Sequence, residues 1–208
     1  MTATPAPRRL LITGFGAFPG VPANPSELVV ERLRARGWSP EGVAARYAIL
    51  PTAWSGASQA LQAARAEFEP AAVLLTGVSG SARAFRMESR AHNRAATASP
   101  DAEGRSHPTA HISDAGPKLL RATAPVRAAV NAIRAEGLPA VASFDCGDYL
   151  CNHTLYRLLE APGASGPLGF LHLPGLGGRF SLDDLERAVK AVAGAMAVAI
   201  GPPRALRG

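Results

Sequence analysis

The sequence predicts an α/β sandwich on a largely parallel sheet, and three observations carry that expectation. Strand-length apolar runs alternate with longer helical stretches along the chain. Helix-start residues and breaks rich in Gly or Pro separate them. Gly14, Gly77, Gly147 and His172 all fall at or just after the end of an expected strand, which is where open α/β sheets build their sites.

Residues 10–13, Leu-Leu-Ile-Thr, read as the first strand, and residues 14–25 as the loop after it. Ser26 is the expected N-cap of a helix through residue 36, because Glu27 and the apolar Leu28, Val29 and Leu33 follow in the right order. Residues 43–50 read as a strand, 53–68 as a helix and 71–75 as a second buried strand. Residues 77–113 are poor in periodicity and read as a long functional excursion with a strand near Ala91. A helix over 126–136 and a strand over 140–143 follow, then a helical pattern at Leu155, Leu158 and Leu159. A strand over 168–173 and an alanine-rich helix over 182–200 complete the chain.

The length of 208 residues fits one domain with a real core. Residues 1–208 are read as that domain, with 1–8 and 201–208 as mobile tails. No run of 18 apolar residues suggests a membrane span, and no apolar segment with a cleavage site opens the chain. A cytoplasmic enzyme is the expectation. The net charge of +6 comes almost wholly from arginine, since Lys118 and Lys190 are the only lysines. The arginines are scattered along helical stretches without a basic run, so nucleic acid is not an expected partner. Two cysteines cannot staple such a domain or build a four-thiolate zinc site. No His, Cys or carboxylate set has zinc-ligand spacing, so neither metal nor cofactor is expected.

Cys151 lies where the irregular stretch Asp145-Cys146-Gly147-Asp148-Tyr149-Leu150 meets a helical pattern. Backbone N–H groups at a helix start favour a thiolate and can receive an oxyanion. Cys146 lies earlier, before Gly147, and lacks the helix start. His172 sits near the end of an apolar strand that Pro174 and Gly175 break, a position suited to a general base. Glu88 lies between Arg86 and Arg90; it is either an ion-pair partner of these or the third member of a Cys/His/carboxylate set. His92, His107 and His111 read as surface residues. The segment Gly14-Phe15-Gly16-Ala17-Phe18-Pro19-Gly20 has Pro19 where a dinucleotide loop needs its third Gly. Phe15 and Phe18 instead suit the apolar walls of a small-ligand pocket or the core.

Taken together, these segments resemble the pyroglutamyl peptidase type I family, the pyrrolidone-carboxylate peptidases, over roughly residues 9–195. The resemblance rests on four motifs in the family order. They are Thr13-Gly14-Phe15 with Phe18, Gly20 and Asn24-Pro25-Ser26; Gly77 and Gly80 with Glu88 and Asn93; Asp145, Gly147 and Tyr149-Leu150-Cys151-Asn152; and Gly169-Phe170-Leu171-His172-Leu173-Pro174. It implies a three-layer α/β/α sandwich with a largely parallel, mixed central sheet, often assembled as a homodimer or tetramer. It implies a thiol peptidase that removes N-terminal pyroglutamate from short peptides, with Cys151 as nucleophile, His172 as base then acid, and Glu88 as its orienting group. It also places Phe15, Phe18, Asn24, Thr52 and Leu150 around the pyroglutamyl ring. Two departures stand out: Val78 replaces a glutamine of the ring-recognition region, and Ser81-Ala82 replaces a common Gly-Arg. A lost partner for a buried lactam costs about 1–3 kcal/mol. The alternatives are a thiol amidohydrolase of the same fold with another N-terminal acyl specificity, and a binding protein that kept the fold.

Overall fold

The computed structural model describes residues 8–201. Its first half comprises β1 (Arg8–Phe15), α1 (Pro25–Ala35), β2 (Val43–Leu50), α2 (Trp54–Phe68) and β3 (Ala72–Ser79). The central stretch holds β4 (Phe85–Glu88), β5 (Arg90–His92) and β6 (Leu119–Arg121). Then come α3 (Val126–Ala135), β7 (Ala140–Ser143), α4 (Leu150–Glu160), β8 (Leu168–Pro174) and α5 (Leu182–Ala199).

Six strands form one sheet in the order β2-β1-β3-β8-β4-β7, and β5 pairs with β6 apart from it. Strands β2, β1, β3 and β8 are parallel; β4 runs antiparallel to β8 and parallel to β7. The sheet is therefore mixed and mostly parallel, with helices on both faces.

Strand alternation decides which residue meets which helix. Leu10, Ile12, Leu74, Phe85, Met87, Leu171 and Leu173 face a core shared with residues of α1, α3 and α5. Leu11, Phe15, Val73, Leu75, Leu168 and Phe170 face the other core, shared with α2 and α4. By the same period of two, Glu88 on β4 and His172 on β8 project to the α2/α4 side, opposite Met87 and Leu171. Strand alternation thus places Glu88 and His172 on the same face of the sheet.

Three expectations are corrected. Asn24, not Ser26, caps α1: its Oδ1 accepts from the Ser26 N–H at 3.0 Å, and Pro25 opens the helix, where its missing N–H costs nothing. Ser26 Oγ instead accepts from the Phe15 N–H at 3.0 Å. That contact brings α1 against β1 so closely that a Cβ on Gly14 would lie 2.4 Å from the Ser26 carbonyl oxygen. Second, the excursion contains a strand of the main sheet, β4, besides the strand at Ala91. Third, Arg8 and Gly201 belong to the folded body, since Arg8 opens β1 and donates to the Gly201 carbonyl at 3.0 Å. The rest of the expected tails, residues 1–7 and 202–208, lies outside the described residues.

Candidate active site

The site gathers at the carboxyl ends of β3 and β8, where β4 and the start of α4 meet them. In the β4–β8 register Arg86 opposes His172 and Glu88 opposes Phe170. His172 Nδ1 lies 2.8 Å from Glu88 Oε1, although 84 residues separate the two in sequence. Both are buried, Glu88 wholly. Arg86 Nε approaches the same carboxylate oxygen at 3.5 Å. The ion pair and the histidine contact, which the sequence left as alternatives for Glu88, therefore coexist.

Cys151 is the second residue of α4, which begins at Leu150 after Tyr149. Among the described residues no side chain caps this end, and the first intrahelical bond runs from the His153 N–H to the Tyr149 carbonyl at 3.0 Å. The N–H groups of Leu150, Cys151 and Asn152 precede that bond, so they are the unpaired donors of a helix N-terminus. The thiol fits over Gly77 at the end of β3. A Cβ there would lie 3.0 Å from Cys151 Sγ and 2.7 Å from Phe170 Cζ, so only glycine admits both.

The electrostatics separate the two thiols and two of the histidines. Burial alone disfavours the His172 cation, but the negative charge and polar contact of Cys151, then Glu88, outweigh it and raise its pKa to about 9. The Cys146 thiol is pushed well above its usual range by burial, then by the charges of Cys151 and Glu88. It stays protonated and is a poor nucleophile. Cys151 is half-buried rather than enclosed. His153, buried against Trp54 and His107, is lowered to about 4 by burial.

The expected pocket residues divide into walls and supports. Phe15 and Leu150 are buried in the core beside the site, with the Phe15 and Phe170 ring centroids 6.4 Å apart. Phe18 is half-buried and pairs with Val21 through two backbone hydrogen bonds. Asn24 Nδ2 and Thr52 Oγ1 both donate to the Gly16 carbonyl, each at 2.9 Å. These two side chains fix the loop after β1, and Asn24 keeps one N–H beyond that bond. Val78 is half-buried on β3, opposite Leu173. Ser81 is exposed and Ala82 half-buried in the turn beyond β3.

Several residues supply order around the site that the sequence reading named without giving a structural role, or placed elsewhere. Asn152 Oδ1 accepts from the His92 N–H at 2.9 Å, and its Nδ2 donates to the carbonyls of His92 and Arg94. Asn93 holds the backbone of residues 112–116 through four hydrogen bonds. His107 is buried beside Trp54, not on the surface. Cys146 also proves to lie inside the site: its sulfur, a Glu88 oxygen and a His172 nitrogen are within 4.8 Å of one another. Nothing in linear spacing signals this.

Comparison with known proteins agrees with the geometry. A family model described as pyroglutamyl peptidase matches residues 8–201. A pyrrolidone-carboxylate peptidase of Clavibacter michiganensis is 36% identical over 79% of this chain and 78% of its own length. One from Gloeobacter violaceus is 36% identical over 80% of this chain and 81% of its own. The crystal structure of pyroglutamyl peptidase I from Bacillus amyloliquefaciens superposes with a TM-score of 0.87 at 28% identity, covering 94% of this chain and 97% of that one.

Proposed function

The chain belongs to the pyroglutamyl peptidase family, and on that premise we propose that it removes N-terminal pyroglutamate from short peptides. The observation that carries this is the Glu88–His172 pair at 2.8 Å, set against a half-buried thiol at a helix N-terminus. In this reading the Cys151 thiolate attacks the carbonyl carbon that joins pyroglutamate to the next residue. The N–H groups at the start of α4 receive the oxyanion. The His172 imidazolium gives its proton to the leaving amine, and a thioester remains on Cys151. Neutral His172 then takes a proton from water, which attacks the thioester, releases pyroglutamate and restores the ion pair. Glu88 keeps Nδ1 oriented and stabilises the imidazolium.

The ring would rest among Phe15, Phe18 and Leu150, with Val78 at the rim and with Asn24 and Thr52 holding the loop after β1. The remaining Asn24 N–H and nearby backbone groups are then the polar partners left for the lactam. Residues 1–208 would act as one peptidase domain in the cytoplasm. No helix among the described residues is long and apolar enough to cross a membrane. Exposed Val141 and Phe144, at and beside the edge strand β7, favour a homo-oligomer, which light scattering would test. The assay for the reaction sets a pyroglutamyl anilide beside other N-acyl anilides and free aminoacyl anilides. Selective hydrolysis of the first is expected, and equal or reversed preference would reject the substrate assignment.

A further inference from the structure

Cys146 has no part in the hydrolysis above, yet its sulfur lies within 4.8 Å of a Glu88 oxygen and a His172 nitrogen, which are themselves as close to each other. Two of these donors stand on strands of the main sheet, β4 and β8, and the third on the loop before α4. All three side chains are buried. Glu88 Oε2 is buried and accepts no hydrogen bond among the described residues, an unfavourable state for a carboxylate oxygen. Thiolate, imidazole and carboxylate together are the donor set of a borderline-soft divalent cation.

We propose that Glu88, Cys146 and His172 form an inhibitory Zn²⁺ site in which Cys146, not the nucleophile, supplies the sulfur. Donors around tetrahedral zinc, with bonds of about 2.0–2.3 Å, lie about 3.3–3.7 Å apart. Contraction from a 4.8 Å envelope therefore needs shifts of about 1 Å on metal binding. On binding, Cys146 releases its thiol proton to solvent and His172 coordinates as a neutral ring. Coordination through Nδ1 leaves the ring proton on Nε2, so the ring accepts none from a thiol or water. Coordination through Nε2 blocks that nitrogen directly. Either way the base is lost, on the functional reading given above. Three protein ligands leave a fourth position open.

Co²⁺ is the probe, because a thiolate-to-cobalt charge-transfer band reports sulfur coordination. The protein is first stripped by a chelator and kept reduced with a phosphine. The band is expected in the wild type and in Cys151→Ala, and absent in Cys146→Ala and Cys146→Ser. Zn²⁺ should displace Co²⁺ and raise Tm in the first pair only. In the hydrolysis assay, half-inhibition of Cys146→Ser should need about tenfold more Zn²⁺ or beyond. Two results would overturn the site: no band in the wild type at saturating Co²⁺, or a band that persists without Cys146 and disappears without Cys151. Should Cys146→Ala fail to fold, Cys146→Ser decides the matter. The spectrum is read in a variant without the nucleophile, so failure of the substrate assignment leaves it intact.

Discussion

His153 and His172 are each 4% exposed and both follow Cys151 in the chain, yet their chemistry is opposite. His153 is lowered to about 4 by burial, with His107 and Arg157 adding to the effect. His172 is raised to about 9 despite burial, because Cys151 and Glu88 face it. Burial by itself makes a neutral histidine; buried negative partners make a cation. The α2/α4 face of the sheet therefore contains a neutral histidine packed on Trp54 and a charged one paired with Glu88.

The largest effect expected from breaking this contrast is at Cys151. Cys151→Ala should lower kcat/KM at least about 10⁴-fold, whereas Cys146→Ala should keep most of the hydrolysis. Steady-state kinetics on both folded variants checks this, and equal losses would mean that the wrong thiol has been assigned.

Glu88→Gln comes next, with turnover down about 10²–10⁴-fold. It should also move the alkaline limb of kcat/KM to lower pH, because the imidazolium loses a partner. The wild-type limb belongs near pH 9, where His172 gives up its proton. The same raised pKa stabilises the fold fully below the ordinary value of 6.5, and that contribution is lost as pH rises through about 9. A pH–rate profile unmoved by Glu88→Gln, with Tm alone reduced, would reduce Glu88 to an ion-pair partner of Arg86.

Val78→Gln sharpens the substrate side of the account. Regaining one hydrogen bond to the ring, worth about 0.5–1.5 kcal/mol, should improve pyroglutamyl cleavage by up to about tenfold. An efficient wild type that the change does not improve would show that backbone groups or Asn24 already serve the lactam.

The smallest effect concerns His153 and is read in stability alone. A depressed histidine is charged in the unfolded chain before it is charged in the fold, so Tm should fall as pH drops from 6.5 towards about 4. His153→Phe should flatten that part of the Tm–pH curve. An unchanged slope would place the acid sensitivity elsewhere.

Much of this contrast is legible in the sequence at the level of chemistry, and less at the level of placement. Strands β2 and β7 and most helix bounds follow from apolar runs and their breaks. The position of Cys151 at a helix start follows from the pattern at Leu155, Leu158 and Leu159. Strand β4 escapes because Phe85, Arg86, Met87 and Glu88 give only two cycles of alternation, inside a stretch dominated by turns. Its pairing with β8 is a long-range fact, and it alone brings Glu88 to His172. The Asn24 cap is hidden behind Ser26, a better-placed capping residue whose hydroxyl is drawn to β1 instead. The burial of His107 and His153 around Trp54, and the place of Cys146 beside the Glu88–His172 pair, depend on how the excursion and the α4 loop fold back. No local spacing encodes either.

The most direct test of the central claim is to locate the acyl group. Rapid acid quench of the enzyme during turnover of a pyroglutamyl anilide should trap the thioester, and fragment-ion mass spectrometry can distinguish Cys146 from Cys151 within one peptide. The account predicts a pyroglutamyl adduct on Cys151 that is absent in Cys151→Ala. An adduct on Cys146, or undiminished hydrolysis by Cys151→Ala, would contradict it.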